Sequence, residues 1–96
     1  MSDPEIRRET GTTRGRYVLE QDGAEAELTY SIVAPDHIIA DHTGVPHAFR
    51  GQGIAAKLVA RLVSDAQAEG VKITSRCSYV TAQARRHPEW ADVFTG

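Results

Sequence analysis

Residues 43–58 read Thr-Gly-Val-Pro-His-Ala-Phe-Arg-Gly-Gln-Gly-Ile-Ala-Ala-Lys-Leu, and this stretch decides the fold. An alternating strand ends here, a loop carries Arg50-Gly51-Gln52-Gly53, and an amphipathic helix begins directly after it. No Ser, Thr, Asp or Asn stands at the helix start, so its first backbone N–H groups have no local side-chain acceptor. Those groups and the positive end of the helix dipole favour an anion, and the glycines let it approach closely. The stretch therefore predicts a site for the pyrophosphate of a cofactor.

The sequence after the loop has helical periodicity. Apolar residues recur at three- and four-residue spacings over residues 54–69, and Gly70 is a suitable residue to end the helix. Residues 71–74 then form a short strand, which a right-handed crossover places parallel to the strand before the loop. A shorter helix over residues 79–86 ends before Pro88.

The sequence before the loop has the period of strands. Residues 16–21, 24–32 and 37–44 read as three strands, and Asp22-Gly23 predicts a tight hairpin turn between the first two. We expect residues 1–13 to be a flexible tail or an edge strand, and residues 14–96 to form one domain. The fold class is α/β of the α+β type, with a mixed, mostly antiparallel sheet, a main helix after the phosphate loop and a shorter C-terminal helix.

Composition limits the function classes. A net charge of −2 on 96 residues argues against non-specific nucleic-acid binding, which needs a basic surface. The one cysteine permits no internal disulfide and no thiolate zinc cluster, and a reducing compartment suits it. No apolar run approaches the roughly 20 residues of a membrane span. The histidines at 37, 42 and 47 are five apart, which predicts no metal site. We expect a cytoplasmic protein without nucleic-acid or membrane partners, either a monomer or a weak homodimer.

Residues 50–56 can be compared with two other types of phosphate-binding loop. The nucleotide-binding P-loop is absent, because no Gly-Lys-Ser/Thr follows at the required spacing. Gly51, Gly53 and Ala56 formally fit the dinucleotide fingerprint, and Arg76 fits a 2′-phosphate ligand of that fold. Against this alternative, residues 46–50 intervene between the strand and the first glycine, and the chain holds only one crossover unit.

A third interpretation covers nearly the whole chain. Arg50-Gly51-Gln52-Gly53-Ile54-Ala55 matches the Gln/Arg-x-x-Gly-x-Gly/Ala signature of the GNAT superfamily of N-acetyltransferases. With the segments around Asp22-Gly23, His42-Thr43-x-Val45-Pro46, Cys77-Ser78-Tyr79-Val80 and His87-Pro88-Glu89, the chain resembles the small YjdJ-type, or minimal, acetyltransferases. The resemblance implies an acetyl-CoA-binding fold without the usual substrate-binding helices, and a poorly defined acceptor.

The resemblance also implies which residues contact coenzyme A. Val45 and His47 lie beside the pantetheine arm, and the residues that surround the phosphates are Arg50, Gly51, Gln52, Gly53, Ile54, Ala55 and Ala56. The alternative is a glycine-rich turn that serves packing alone.

Three residues are catalytic candidates. Acetyl transfer to an amine needs a deprotonated nucleophile, polarisation of the thioester and a proton for the leaving thiolate. Cys77, just past the last strand, is a candidate acyl carrier, as the resemblance suggests; it is equally a buried apolar residue, with direct transfer as the mechanism. His42 is a candidate base or a solvent-facing strand residue. Tyr79 is a candidate proton donor or a packing residue.

Two functions follow. The first is an acetyl-CoA-dependent N-acyltransferase that moves an acetyl group to an amine of a small molecule or peptide. The second is a coenzyme A-binding or protein-interaction module with little catalysis. The acidic residues between Glu20 and Glu27 either attract a cationic amine or form a solvated edge.

Overall fold

The computed structural model describes residues 6–49 and 51–95 as one five-stranded sheet with two helices, and the strands lie in their sequence order. The strands are β1 (Ile6–Thr10), β2 (Arg14–Gln21), β3 (Ala24–Ala34), β4 (His37–Gly44) and β5 (Lys72–Ser75); the helices are α1 (Ile54–Glu69) and α2 (Ser78–Arg86); and 3₁₀ turns span His47–Phe49 and Pro88–Trp90. The predicted α+β class is confirmed.

The sheet is antiparallel from β1 to β4 and parallel only between β4 and β5. The β2–β3 hairpin turns at Asp22 and Gly23, whose φ angles of 54° and 80° are those of a primed turn. The parallel pair is joined through α1, as the crossover rule requires. The sheet is thus the predicted mixed, mostly antiparallel one.

Residues 6–10 form an edge strand although their sequence lacks strand periodicity. β1 pairs with β2 from Ile6 opposite Leu19 to Thr10 opposite Gly15. The Arg8 guanidinium donates to the Glu69 carboxylate of α1 and lies 3.5 Å from that of Asp65. Charge pairing to a helix, together with the ladder, therefore holds a polar segment in the sheet.

The two faces of the sheet differ in chemistry. Residues paired across strands share a face, and one row runs through Tyr17, Leu28 and Thr43. We call this the core face: Tyr17 and Leu28 are fully buried there, and the Tyr17 hydroxyl donates to Asp65 of α1 at 2.9 Å. The neighbouring row, Arg16, Thr29 and His42, lies on the opposite, open face. The core cluster combines apolar residues of β2 to β5 with those of both helices.

A β-bulge interrupts β4 at Asp41. Thr29 pairs with His42 while Tyr30 pairs with Ala40, so Asp41 is an extra residue without a partner in the register. Simple alternation would place residue 42 on the core face with Ala40. The bulge reverses this phase, so that Thr43 lies on the core face and His42 on the open face.

We predict that Gly15→Ala destabilises the protein. A Cβ at Gly15 would lie 2.4 Å from the Tyr30 ring, which is fully buried and cannot move aside. The expected loss in the free energy of unfolding is about 1–3 kcal/mol, typical of overpacking, measured by urea denaturation. Gly44→Ala is the control, because a Cβ there has contacts no closer than 3.6 Å. Equal stability of the two variants would contradict the packing argument.

Candidate functional site

The start of α1 is open to a ligand. Its N-cap, Gly53, has the left-handed φ of 68°, provides no side-chain cap, and is followed by a first turn without an acidic residue. Gly51 is also left-handed, with φ 80°, and a Cβ built on either glycine meets nothing within 4 Å. The space that a side chain would fill is therefore available to another group. The helix dipole favours a negative charge in that space.

The loop before α1 is fixed at its flanks. Phe49 is buried, and its N–H donates to the Pro46 carbonyl at 3.0 Å. The Gln52 N–H donates to the Phe49 carbonyl at 3.2 Å, and the Gln52 side-chain amide to the Ala48 carbonyl at 3.2 Å. Residues 51–53 are exposed on this support. Arg50, a predicted phosphate ligand, lies outside the described residues.

β4 and β5 separate immediately before the loop. Their ladder ends where Ala40 pairs with Ser75, and the last backbone bond runs from the Arg76 N–H to the Ala40 carbonyl at 2.9 Å. β4 continues to Gly44 with β3 as its ladder partner. Val45 and His47, the predicted pantetheine contacts, follow as exposed residues. The separated edge offers backbone groups to an amide-bearing ligand, as in strand addition.

The open helix start and the separated end of β4 fit coenzyme A, the cofactor that the resemblance implies. Phosphates need donors without a competing carboxylate, and the start of α1 meets that condition in the described residues. The pantetheine arm carries amides, and the separated end of β4 supplies an edge for them. Residues 51–56 and 45–47 are contiguous in the chain with β4 and α1, so one extended ligand can contact both.

Cys77 lies where β4 and β5 separate. It is the N-cap residue of α2, two residues after the end of β5, and is 7% exposed. Its sulfur is 3.5 Å from the Thr43 hydroxyl on the core face. Because Thr43 precedes Val45 by two residues, the thiol lies beside the chain that leads into the glycine loop.

The surroundings of Cys77 favour its thiolate. Burial raises the pKa of the thiol, but the Thr43 hydroxyl and the backbone N–H groups of Val80, Tyr79 and Thr43 outweigh burial, so the net pKa is lowered. The thiol is therefore more acidic than an ordinary cysteine.

The other two catalytic candidates differ in their relation to the sulfur. His42 is exposed on the open face, in register with Thr29, and the structure does not bring it to Cys77. Tyr79 is half-buried against the core, and its backbone N–H is one of the groups that lower the pKa of the thiol.

Sequence reasoning missed Thr43. It lies beside His42, and only the bulge at Asp41 decides which of the two faces Cys77. Alternation of apolar and polar residues gives no sign of a bulge in so short a polar run.

Over residues 6–49 and 51–95, no group of three or more His, Cys, Asp or Glu is placed to hold a metal ion. Neither described helix has the length and hydropathy needed to cross a membrane.

Comparison with known proteins shows the family of the chain. No curated protein matches the chain. A solution structure of a Staphylococcus aureus protein, described as GCN5-like and a candidate N-acetyltransferase, is 32% identical, with a TM-score of 0.71. The match covers 100% of this chain and 92% of that chain. The family model for the GCN5-related N-acetyl-transferase matches residues 16–93, which include the open helix start, the separated strands and Cys77. The chain therefore belongs to the GCN5-related N-acetyltransferase family.

Proposed function

We propose that the chain is an acetyl-CoA-dependent N-acyltransferase of the minimal, YjdJ-type kind, acting on an amine of a small molecule or peptide. One observation carries the proposal: an activated cysteine lies where two parallel strands separate, beside the chain that leads into an open helix start. The family generally uses acetyl-CoA, which agrees with this arrangement. A lone reduced thiol agrees with a cytoplasmic location.

Coenzyme A is held by three parts of the chain in this proposal. The backbone N–H groups of residues 51–56 bind its pyrophosphate, with Arg50 beside them, and Val45 and His47 lie along its pantetheine arm. Acetyl-CoA supplies an activated acetyl thioester. The loop's fixed flanks keep its amides in position before the ligand arrives, which lowers the ordering cost of binding.

Cys77 acts as the acyl carrier. Its thiolate attacks the carbonyl carbon of the acetyl thioester, so a new C–S bond to Cys77 forms, the C–S bond to coenzyme A breaks and coenzyme A leaves as the thiolate. The amine nitrogen then attacks the same carbonyl carbon and displaces the Cys77 thiolate. A C–N bond forms, a C–S bond breaks and the amine loses a proton, while the Thr43 hydroxyl and the nearby amides stabilise the departing thiolate. His42 can accept the amine's proton only if the acceptor approaches from the open face, and Tyr79 remains a candidate donor.

A binding module is the second candidate function. β1 and β2 are joined directly by residues 11–13, so no helix is inserted between these described strands to cover an acceptor. Under this alternative coenzyme A binds and no amine is acetylated. Turnover of acetyl-CoA with a panel of amines separates the two functions.

We predict that Gly53→Ala weakens coenzyme A binding about tenfold or more, because a methyl group enters the space for phosphate and hinders close approach to the backbone. Binding is measured by isothermal titration calorimetry. Gly70→Ala is the matched control: Gly70 caps the other end of α1 with φ 71°, and its added Cβ also meets nothing within 4 Å. Both variants carry similar backbone strain, so similar losses of stability are expected. Equal affinities would show that the loop is structural.

We predict that acetyl-CoA adds one acetyl group to the protein and that Cys77→Ala abolishes the addition. Intact-mass spectrometry after rapid acid quenching measures the adduct, and peptide mapping locates it. Cys77→Ala should also abolish transfer to amines. If this variant transfers acetyl at the full rate, the acceptor attacks the donor directly and the acyl-enzyme does not exist.

We predict that Thr43→Val shifts the pH profile of Cys77 alkylation by iodoacetamide to higher pH. The native pKa is lowered, so the thiolate forms at lower pH than in an ordinary cysteine, and loss of the hydroxyl reverses part of that effect. Thr29→Val is the control, since Thr29 lies on the open face of the adjacent strand. An unshifted Thr43→Val profile would remove Thr43 from the activation of the thiol.

A further inference from the structure

A cavity of about 600 Å³ opens on the open face of the sheet. It is separate from the glycine loop, and its lining includes Arg14 and Arg16 of β2, Ser31 of β3, Asp41 of β4, and Arg76 just after β5. Its floor is thus the middle of the sheet, and basic residues stand on two opposite sides.

Some of the charged side chains that line this cavity have an ionic partner among the described residues, and others do not. Arg16 is neutralised by Glu9 at 2.7 Å and Glu27 at 2.8 Å. Asp41 accepts a hydrogen bond from the Ser31 hydroxyl at 2.6 Å. Over the described residues, the side chains of Arg14 and Arg76 form no ion pair or hydrogen bond. Among the described residues, the cavity is therefore lined by two guanidinium groups without an ionic partner, those of Arg14 and Arg76, beside the Arg16–Glu9 ion pair and the Asp41 carboxylate.

The two arginines lie on opposite sides of one space. Arg14 is on β2 and Arg76 follows β5, and three strand spacings of roughly 14 Å in total separate these positions. Arginines exposed to solvent are common on protein surfaces. Arg14 and Arg76 differ from isolated surface arginines because they line the same cavity. Two guanidinium groups directed into one space suit a planar, bidentate anion such as a carboxylate.

The cavity also adjoins the point where the strands separate. Arg76 makes the last backbone bond between β5 and β4, through Ala40, and Cys77 follows it directly. Asp41, the bulge residue, lies between Ala40 and His42. The bulge determines that His42 lies on the open face and Thr43 on the core face. A ligand in the cavity thus lies on the opposite face of the sheet from the thiol, near the point where the β4–β5 ladder ends.

We propose that the acceptor is a small amino carboxylate, whose carboxylate binds between Arg14 and Arg76 and whose amine lies toward Asp41 and the strand gap. Asp41 disfavours a phosphate dianion in the same cavity and attracts the cationic amine. This inference rests on the proposed function, and it names the acceptor class that the proposed function leaves open.

Binding of a product analogue tests the site without turnover. The full chain, saturated with coenzyme A, is titrated with N-acetyl-L-alanine or with N-acetyl-L-alaninamide and followed by amide NMR. The acid should shift signals of residues 29–31 and 41, and the amide should not. The double variant Arg14→Gln, Arg76→Gln should weaken acid binding about tenfold or more, the loss expected for charge-assisted hydrogen bonds. Arg86→Gln, an exposed arginine of α2, is the control. Equal binding of acid and amide, or unchanged acid binding by the double variant, overturns the proposal.

Turnover separates this inference from the proposed function. The kcat/KM ratio for L-alanine over L-alaninamide should fall about tenfold in Arg14→Gln, which is remote from Cys77 in the chain, while acetylation of Cys77 stays unchanged. If transfer persists but this ratio is the same as in the native protein, the inference fails and the function stands. If no amine is acetylated and yet N-acetyl-L-alanine binds through the two arginines, the carboxylate site stands and the function fails.

Discussion

The bulge at Asp41 is the constraint on which the site depends. One extra residue in β4 reverses the alternation of side chains beyond Ala40, so Thr43 rather than His42 lies beside Cys77. The extra residue is itself held, because its carboxylate accepts a hydrogen bond from Ser31 on β3. The same segment runs past the end of the β4–β5 ladder, so a change of phase and a gap between strands occur within four residues. Bulges next to active sites commonly re-aim side chains in this way.

The rest of the structure keeps this segment in register. On the core face, α1 packs across β2 and β3, and its Asp65 accepts from the Tyr17 hydroxyl. Burial and this carboxylate raise the pKa of Tyr17, so the phenol stays neutral and remains a donor.

On the open face, Val18 is fully buried although the residues around it are charged. Arg7 and Glu27 pair with it in the ladders on either side. Ion pairs between exposed side chains contribute little individually to the free energy of folding. The main effect of the charged side chains around Val18 is therefore to cover this apolar residue.

The sequence predicted most of the fold because the spacing of its apolar residues clearly distinguishes helices from strands. The helix over residues 54–69, the Asp22-Gly23 hairpin and the parallel crossover are all confirmed, since local turn chemistry and long-range packing agree in them. Two features could not be decided from the sequence. The sequence left open whether residues 1–13 are a flexible tail or an edge strand, because β1 has no apolar alternation; its ladder with β2 and the contacts of Arg8 with carboxylates on α1 join residues that are distant in sequence. The bulge leaves no trace in a run of polar residues, so the sequence offered Cys77 as a candidate site residue but not Thr43, whose hydroxyl lies beside it. The sequence also did not indicate that Arg14 and Arg76 belong to one site, because only the folded sheet brings these two residues to the same cavity.

The two left-handed glycines at the ends of α1 make this helix a spacer of fixed length. Gly53 and Gly70 enclose 16 residues, and each added residue advances an α-helix by about 1.5 Å and rotates it by roughly 100°. One insertion would therefore turn the apolar stripe off the sheet, or else move the glycine loop relative to β5. Length variation can be absorbed by the turns at residues 11–13 and 35–36, which lie outside this span. The segment between the two caps must be inherited, transplanted or redesigned as a single unit.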